Sequence, residues 1–129
     1  MLRIAHGLHS PALHRFWRVL WFGLAVLVCG FAFAPAEHAP TLGFSDKVNH
    51  IAAFMALGFV AALAQPAGWR ETGRATALCL ALGVFIELVQ AFLPTRSAEA
   101  ADVLGDALGM LVGMALIALL RRWWPAEKI

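Results

Sequence analysis

Residues 75–120 read ATALCLALGVFIELVQAFLPTRSAEAADVLGDALGMLVGMALIALL. Two apolar blocks, 75–93 and 103–120, flank a polar loop at 94–101 that begins with Pro94. Each block approaches the ~20 residues that an α-helix needs to cross ~30 Å of hydrocarbon at ~1.5 Å per residue. Inside them stand only a few polar side chains, among them Glu87 and Gln90 before the loop and Asp106 after it, with Asp102 just ahead of the second block. This stretch predicts a pair of membrane-spanning helices with acids placed near one end.

Two further apolar blocks precede this pair. Residues 16–34 carry no charge after Arg18 and have the length of a span. The basic lead-in and the small residues Ala32 and Ala34 also suit a signal peptide, but the apolar run is long for one and Pro35 follows directly. An uncleaved helix is the reading adopted. Residues 51–64 are short for a span and reach about twenty residues only if the polar turn Asp46-Lys47-Val48-Asn49-His50 belongs to the same helix. Pro35, Pro40, Gly43 and Ser45 mark the loop before it, and residues 65–74, with Pro66, Gly68 and Gly73, read as the loop after it.

Composition points the same way, since 61% of the 129 residues are hydrophobic and 14% are charged. The expected fold is all-α: a polytopic membrane protein of four transmembrane helices. Its segments are residues 1–15 as a cytoplasmic lead, 16–120 as one membrane domain and 121–129 as a cytoplasmic tail.

Orientation follows from the basic residues. With both termini in the cytoplasm, Arg3, Arg15, Arg18, Arg70, Arg74, Arg121, Arg122 and Lys128 lie inside, against Lys47 and Arg96 outside. The net charge of +2 is explained by this topology, and no basic patch for nucleic acid is visible. Cys29 and Cys79 fall at different depths, which predicts no disulfide. Tryptophans near the block ends (Trp17, Trp21, Trp69, Trp123 and Trp124) read as an interfacial belt, and His6, His9, His14 and His38 show no metal spacing.

The polar residues of the later blocks share one depth. His50 follows the start of the second helix, Glu87 precedes the end of the third, and Asp106 follows the start of the fourth, each by about 6–9 Å of helix rise. Ionisable groups in hydrocarbon cost several kcal/mol unless they face a partner, a cavity or the bundle interior, so three helices are expected to meet around a shared outer pocket. Asp46 and His50, Glu87 and Gln90, and Asp102 and Asp106 each share a helix face. The candidate pocket comprises Asp46, Lys47, Asn49, His50, Glu87, Gln90, Arg96, Asp102 and Asp106. Asp46 and Asp102 also read as helix N-caps, Glu87 as an ion-pair partner for Arg96 or Lys47, and Arg96 as a bidentate anion contact. Gly105, Gly109 and Gly113 form a small-xxx-small series for close helix packing.

Asp46-Lys47-x-x-His50, Glu87-x-x-Gln90, Arg96, and Asp102-Val103-Leu104-Gly105-Asp106-Ala107-Leu108-Gly109 with Gly113 together resemble the pattern of the VanZ-like membrane protein family. The match covers residues 46–113. It implies a four- or five-helix membrane domain in the bacterial cytoplasmic (inner) membrane. It also implies a setting in the cell envelope, since the name-giving member is associated with low-level resistance to the glycopeptide teicoplanin. One departure concerns Asp106, where the family more often carries asparagine. The resemblance supplies no reaction.

Four functions fit these residues. The first is binding the head of an envelope lipid or lipid-linked cell-wall precursor, with Lys47, Arg96 and His50 on its anionic group and Glu87 and Gln90 on its sugar or peptide part. The second is an enzyme on a polyprenyl-phosphate substrate with His50 and Glu87 as acid and base, although no nucleophile motif or metal signature accompanies them. The third is a proton-coupled transporter, which in so small a chain calls for a homo-oligomer. The fourth is a partner subunit. Membrane lipids are expected partners, and no cofactor is expected except that a divalent cation could bridge Glu87, Asp102 or Asp106 to a phosphate.

Overall fold

The computed structural model describes residues 11–35, 37, 46–66 and 68–123, together with the backbone but not the side chain of Asp46. Four helices account for nearly all of them: α1 (Pro11–Phe33), α2 (Asp46–Leu63), α3 (Trp69–Gln90) and α4 (Ala100–Trp123). There is no strand among the described residues. Three of the helices, α1, α3 and α4, are long and apolar enough to cross a membrane; α2 is shorter.

The helix limits have local causes. The polar turn 46–50 does belong to α2, giving it 18 residues, or about 27 Å. The start of α3 differs from the sequence expectation. Residues 69–74 are helical instead of forming part of a loop, because Arg70, Glu71 and Arg74 are good helix formers. Thr72 is joined to them by its N–H and hydroxyl, both of which donate to the Gly68 carbonyl. Gly73 costs about 1 kcal/mol there relative to alanine and does not break the run. At its other end α3 tightens into two short turns, at Phe92 and Leu93, and Pro94 then prevents continuation.

The bundle runs up and down. The N-termini of α2 and α4 meet the C-termini of α1 and α3 at one end, as His50–Asp106, Glu99–Glu87 and Gln90–Ala32 contacts show. Arg18, Arg121 and the C-terminus of α2 meet at the other. Helix α2 lies at the centre, burying Phe54, Leu57, Val60 and Ala61, and its most extensive contact is with α4. That contact is made by glycine. A Cβ at Gly109 would fall on the Ile51 carbonyl, and one at Gly113 on the Met55 carbonyl and the Phe59 amide. From α2, a Cβ at Gly58 would lie 2.5 Å from the Met110 carbonyl oxygen. Gly105 differs, since its Cβ would meet nothing closer than Ile51 Cγ1 at 3.6 Å.

Between helices already in lipid there is little hydrophobic driving force, so close packing and hydrogen bonds must hold the bundle. Large apolar side chains accordingly point outward, with Val26 and Leu104 each 71% exposed. The hydrogen bonds serve the helix C-termini, whose last carbonyls lack intrahelical donors. Arg121 donates to the carbonyls of Ala62 at 2.9 Å and Gln65 at 3.0 Å, and Arg18 donates to that of Ala64 at 3.2 Å. These arginines, assigned from sequence to topology alone, also close the end of α2. Replacing Arg121 by Met keeps its stem and removes both bonds. A loss of about 1–3 kcal/mol is expected from charge-assisted bonds to a helix C-terminus, read as an earlier unfolding midpoint in detergent. An unchanged midpoint would show that water serves those carbonyls equally well.

Candidate functional site

The polar residues gather at the other end. His50, in the second turn of α2, places Nδ1 2.8 Å from Asp106 Oδ1 on α4, where it donates to the carboxylate. Asp106 is 1% exposed and lies against α3 as well, since a Cβ at Gly83 would be 3.0 Å from its Oδ2. Glycine at position 83 thus makes room for a carboxylate at the meeting of three helices. Sequence reading passed over it, although it stands one turn before Glu87, where small residues admit polar groups.

Glu87, 7% exposed, accepts a hydrogen bond at Oε2 from the Glu99 amide at 3.1 Å. Its Oε1 is buried without a hydrogen-bond partner among the described residues, as are Asp106 Oδ2 and Asn49 Oδ1. The ion pair expected between Glu87 and Arg96 or Lys47 does not form. Lys47 instead bonds Glu99 Oε2 at 2.8 Å and lies 3.9 Å from Asp102 Oδ1. That lysine holds the exposed Glu99 carboxyl below the usual carboxylate range. The contribution of this pair to folding is therefore present near neutral pH and fades as pH falls through the depressed value.

Asp102 is not the N-cap of α4. It sits in the first helical turn and is buried, with Glu99 in the preceding, capping position. The side chain of Asp46 lies outside the described residues. Carboxylate or imidazole ligand atoms of His50, Glu87 and Asp102 lie within 4.8 Å of one another, bringing α2, α3 and α4 to one point.

Two members of the expected pocket are drawn aside to α1. Gln90 donates from Nε2 to the Ala32 carbonyl at 3.0 Å. Arg96 donates from Nε to Ala34 at 3.0 Å and from one terminal nitrogen to Phe31 at 3.0 Å and Ala34 at 2.9 Å. The Arg96 guanidinium therefore closes the C-terminus of α1, mirroring what Arg121 does for α2. Cys29 and Cys79 are both free thiols.

The arrangement is an acidic, largely buried cluster with one histidine held by a carboxylate and a lysine at its rim. Comparison with known proteins adds one finding, a match over residues 8–121 to the family described as VanZ/LLP1. No curated protein and no solved structure matches the chain.

Proposed function

We propose, from the premise that this chain belongs to the VanZ/LLP1 family, that it is a four-span protein of the bacterial inner membrane whose polar end faces outward and binds the head of an envelope lipid or lipid-linked cell-wall precursor. Both termini are cytoplasmic in this reading. It is supported by the separation of Arg15, Arg18, Arg70, Arg74, Arg121 and Arg122, at the end away from the cluster, from Lys47 and Arg96 beside it. Helix α2 completes the fourth span from the bundle centre, where its short length is offset by arginines that close its last carbonyls.

One observation carries the binding reading: a buried carboxylate oxygen, Glu87 Oε1, has no donor among the described residues where three helices meet. Such an oxygen costs about 1–3 kcal/mol, more if charged, so a ligand hydroxyl, amide or amine that donates to it would recover that free energy. Because Arg96 serves α1, the contacts of the head group fall to Glu87, His50 and Lys47. A contribution to glycopeptide resistance would follow if the bound head belongs to a cell-wall precursor.

Native mass spectrometry of detergent-purified protein tests this. Wild type is expected to carry a lipid adduct of defined mass, and Glu87→Gln, which keeps the shape but exchanges an acceptor for a donor at one position, is expected to lose it. Equal adducts in both, or none in either with both folded, would remove the pocket and favour a partner-subunit role.

A further inference from the structure

We infer that His50, Glu87 and Asp102 form a site for one divalent cation of the zinc class, built across α2, α3 and α4. The inference deepens the head-group reading by saying how an acidic site would hold an anionic ligand, and it depends on that reading only for the ligand. The three donors come from three different helices, and their ligand atoms lie within 4.8 Å of one another. A bound ion at about 2.0–2.2 Å from each would draw them to about 3–3.5 Å apart, a change within reach of side-chain rotation.

Two independent features point to an ion. Glu87 is more than nine-tenths buried, and its Oε1 has no donor among the described residues, which leaves a lone pair available at the cluster. Around it stand Asp102, 4% exposed, and Asp106, with Lys47 near Asp102 as a permanent cation. Three buried carboxylates call for more positive charge than that lysine supplies. The second feature is the tie between His50 Nδ1 and Asp106 Oδ1 at 2.8 Å. Metal-binding histidines are commonly held this way, with a carboxylate fixing the tautomer so that Nε2 becomes the ligand. In this arrangement Asp106 is a positioning residue.

The donor set selects the ion. Imidazole with two carboxylates suits zinc and related transition ions better than magnesium, which prefers oxygen alone. Three protein ligands also leave a coordination position open, and a phosphate or carboxylate oxygen of a head group can occupy it.

The test uses the full chain, purified in detergent with any affinity tag removed, stripped with chelator and titrated with zinc chloride. Wild type should retain one zinc per chain through gel filtration, and tenfold excess magnesium should not displace it. Glu87→Gln and Asp102→Asn should each weaken binding by about 10- to 100-fold or more, whereas Glu99→Gln, outside the ligand set, should not. Retention far below one ion in wild type, or undiminished binding in both ligand variants, would overturn the site. Should those variants fail to fold, X-ray absorption of zinc-loaded wild type decides: one nitrogen with oxygens supports the site, and several imidazoles or sulfur refute it. Mass spectrometry of the protein after zinc titration separates the two readings. A lipid adduct on protein that binds no zinc sinks the cation and keeps the head group, and stoichiometric zinc without any adduct does the reverse.

Discussion

Replacing Gly109 by leucine is expected to abolish the folded bundle. Its Cβ alone would fall on the Ile51 carbonyl of α2, and backbone cannot rotate aside as a side chain can. The only relief is to move α4 away from α2 along their whole contact. That separation would also pull Gly113 from Met55 and Phe59, withdraw Met110 from Gly58 and break the His50–Asp106 bond. Overpacking one extra group in a good core costs about 1–3 kcal/mol, and here several contacts fail together. We therefore expect Gly109→Leu to be recovered only as aggregate, and Gly109→Ala to lose several kcal/mol. Gly105→Ala is the control. Its Cβ finds ordinary contact with Ile51 Cγ1 at 3.6 Å, and alanine favours helix over glycine by about 1 kcal/mol, so stability should hold or rise. Size-exclusion profiles and unfolding midpoints in detergent would measure all three. A folded Gly109→Leu protein would mean that the α2–α4 packing is not as described.

The second large effect concerns the buried pair. Substituting His50 with Ala leaves the Asp106 carboxylate, 1% exposed, without its donor, and substituting Asp106 with Ala strands the imidazole. Breaking one side of a buried pair costs about 3–5 kcal/mol because the remaining group is uncompensated. Asp106→Asn should behave differently, since its amide oxygen still accepts from His50 Nδ1 and the site loses one negative charge. We expect Asp106→Asn to retain most of the stability. A double-mutant cycle on positions 50 and 106 would measure the coupling; a coupling energy near zero would show that the two groups are served independently, by water or by lipid.

The difference between α2 and its neighbours shows how far pattern reading goes. Apolar length alone located α1, α3 and α4, because hydrocarbon thickness sets a simple requirement on residue count. It also required the polar turn 46–50 to be helical, which the structure bears out. It misjudged residues 69–74, where charged helix formers beyond the apolar run looked like a loop. The burial of Glu87, Asp102 and Asp106 at one end of the bundle was legible from spacing, since groups so costly in lipid must converge. Their partners were not, and the expected Glu87 ion pair gave way to a backbone amide of Glu99.

Taken by itself, the sequence determined that the chain is a helical membrane protein, where its apolar helices run, and which end carries the acids, because these depend on transfer free energies that add along the chain. Only the tertiary structure decided what each polar group does. Arg96 and Gln90 went to the carbonyls of α1, Gly83 made room for Asp106, and His50, Glu87 and Asp102 came within reach of a single ion. Hydrogen bonds and ligation depend on distances held to within about an ångström between residues tens of positions apart, and those distances are fixed by how α2 and α4 close upon their glycines.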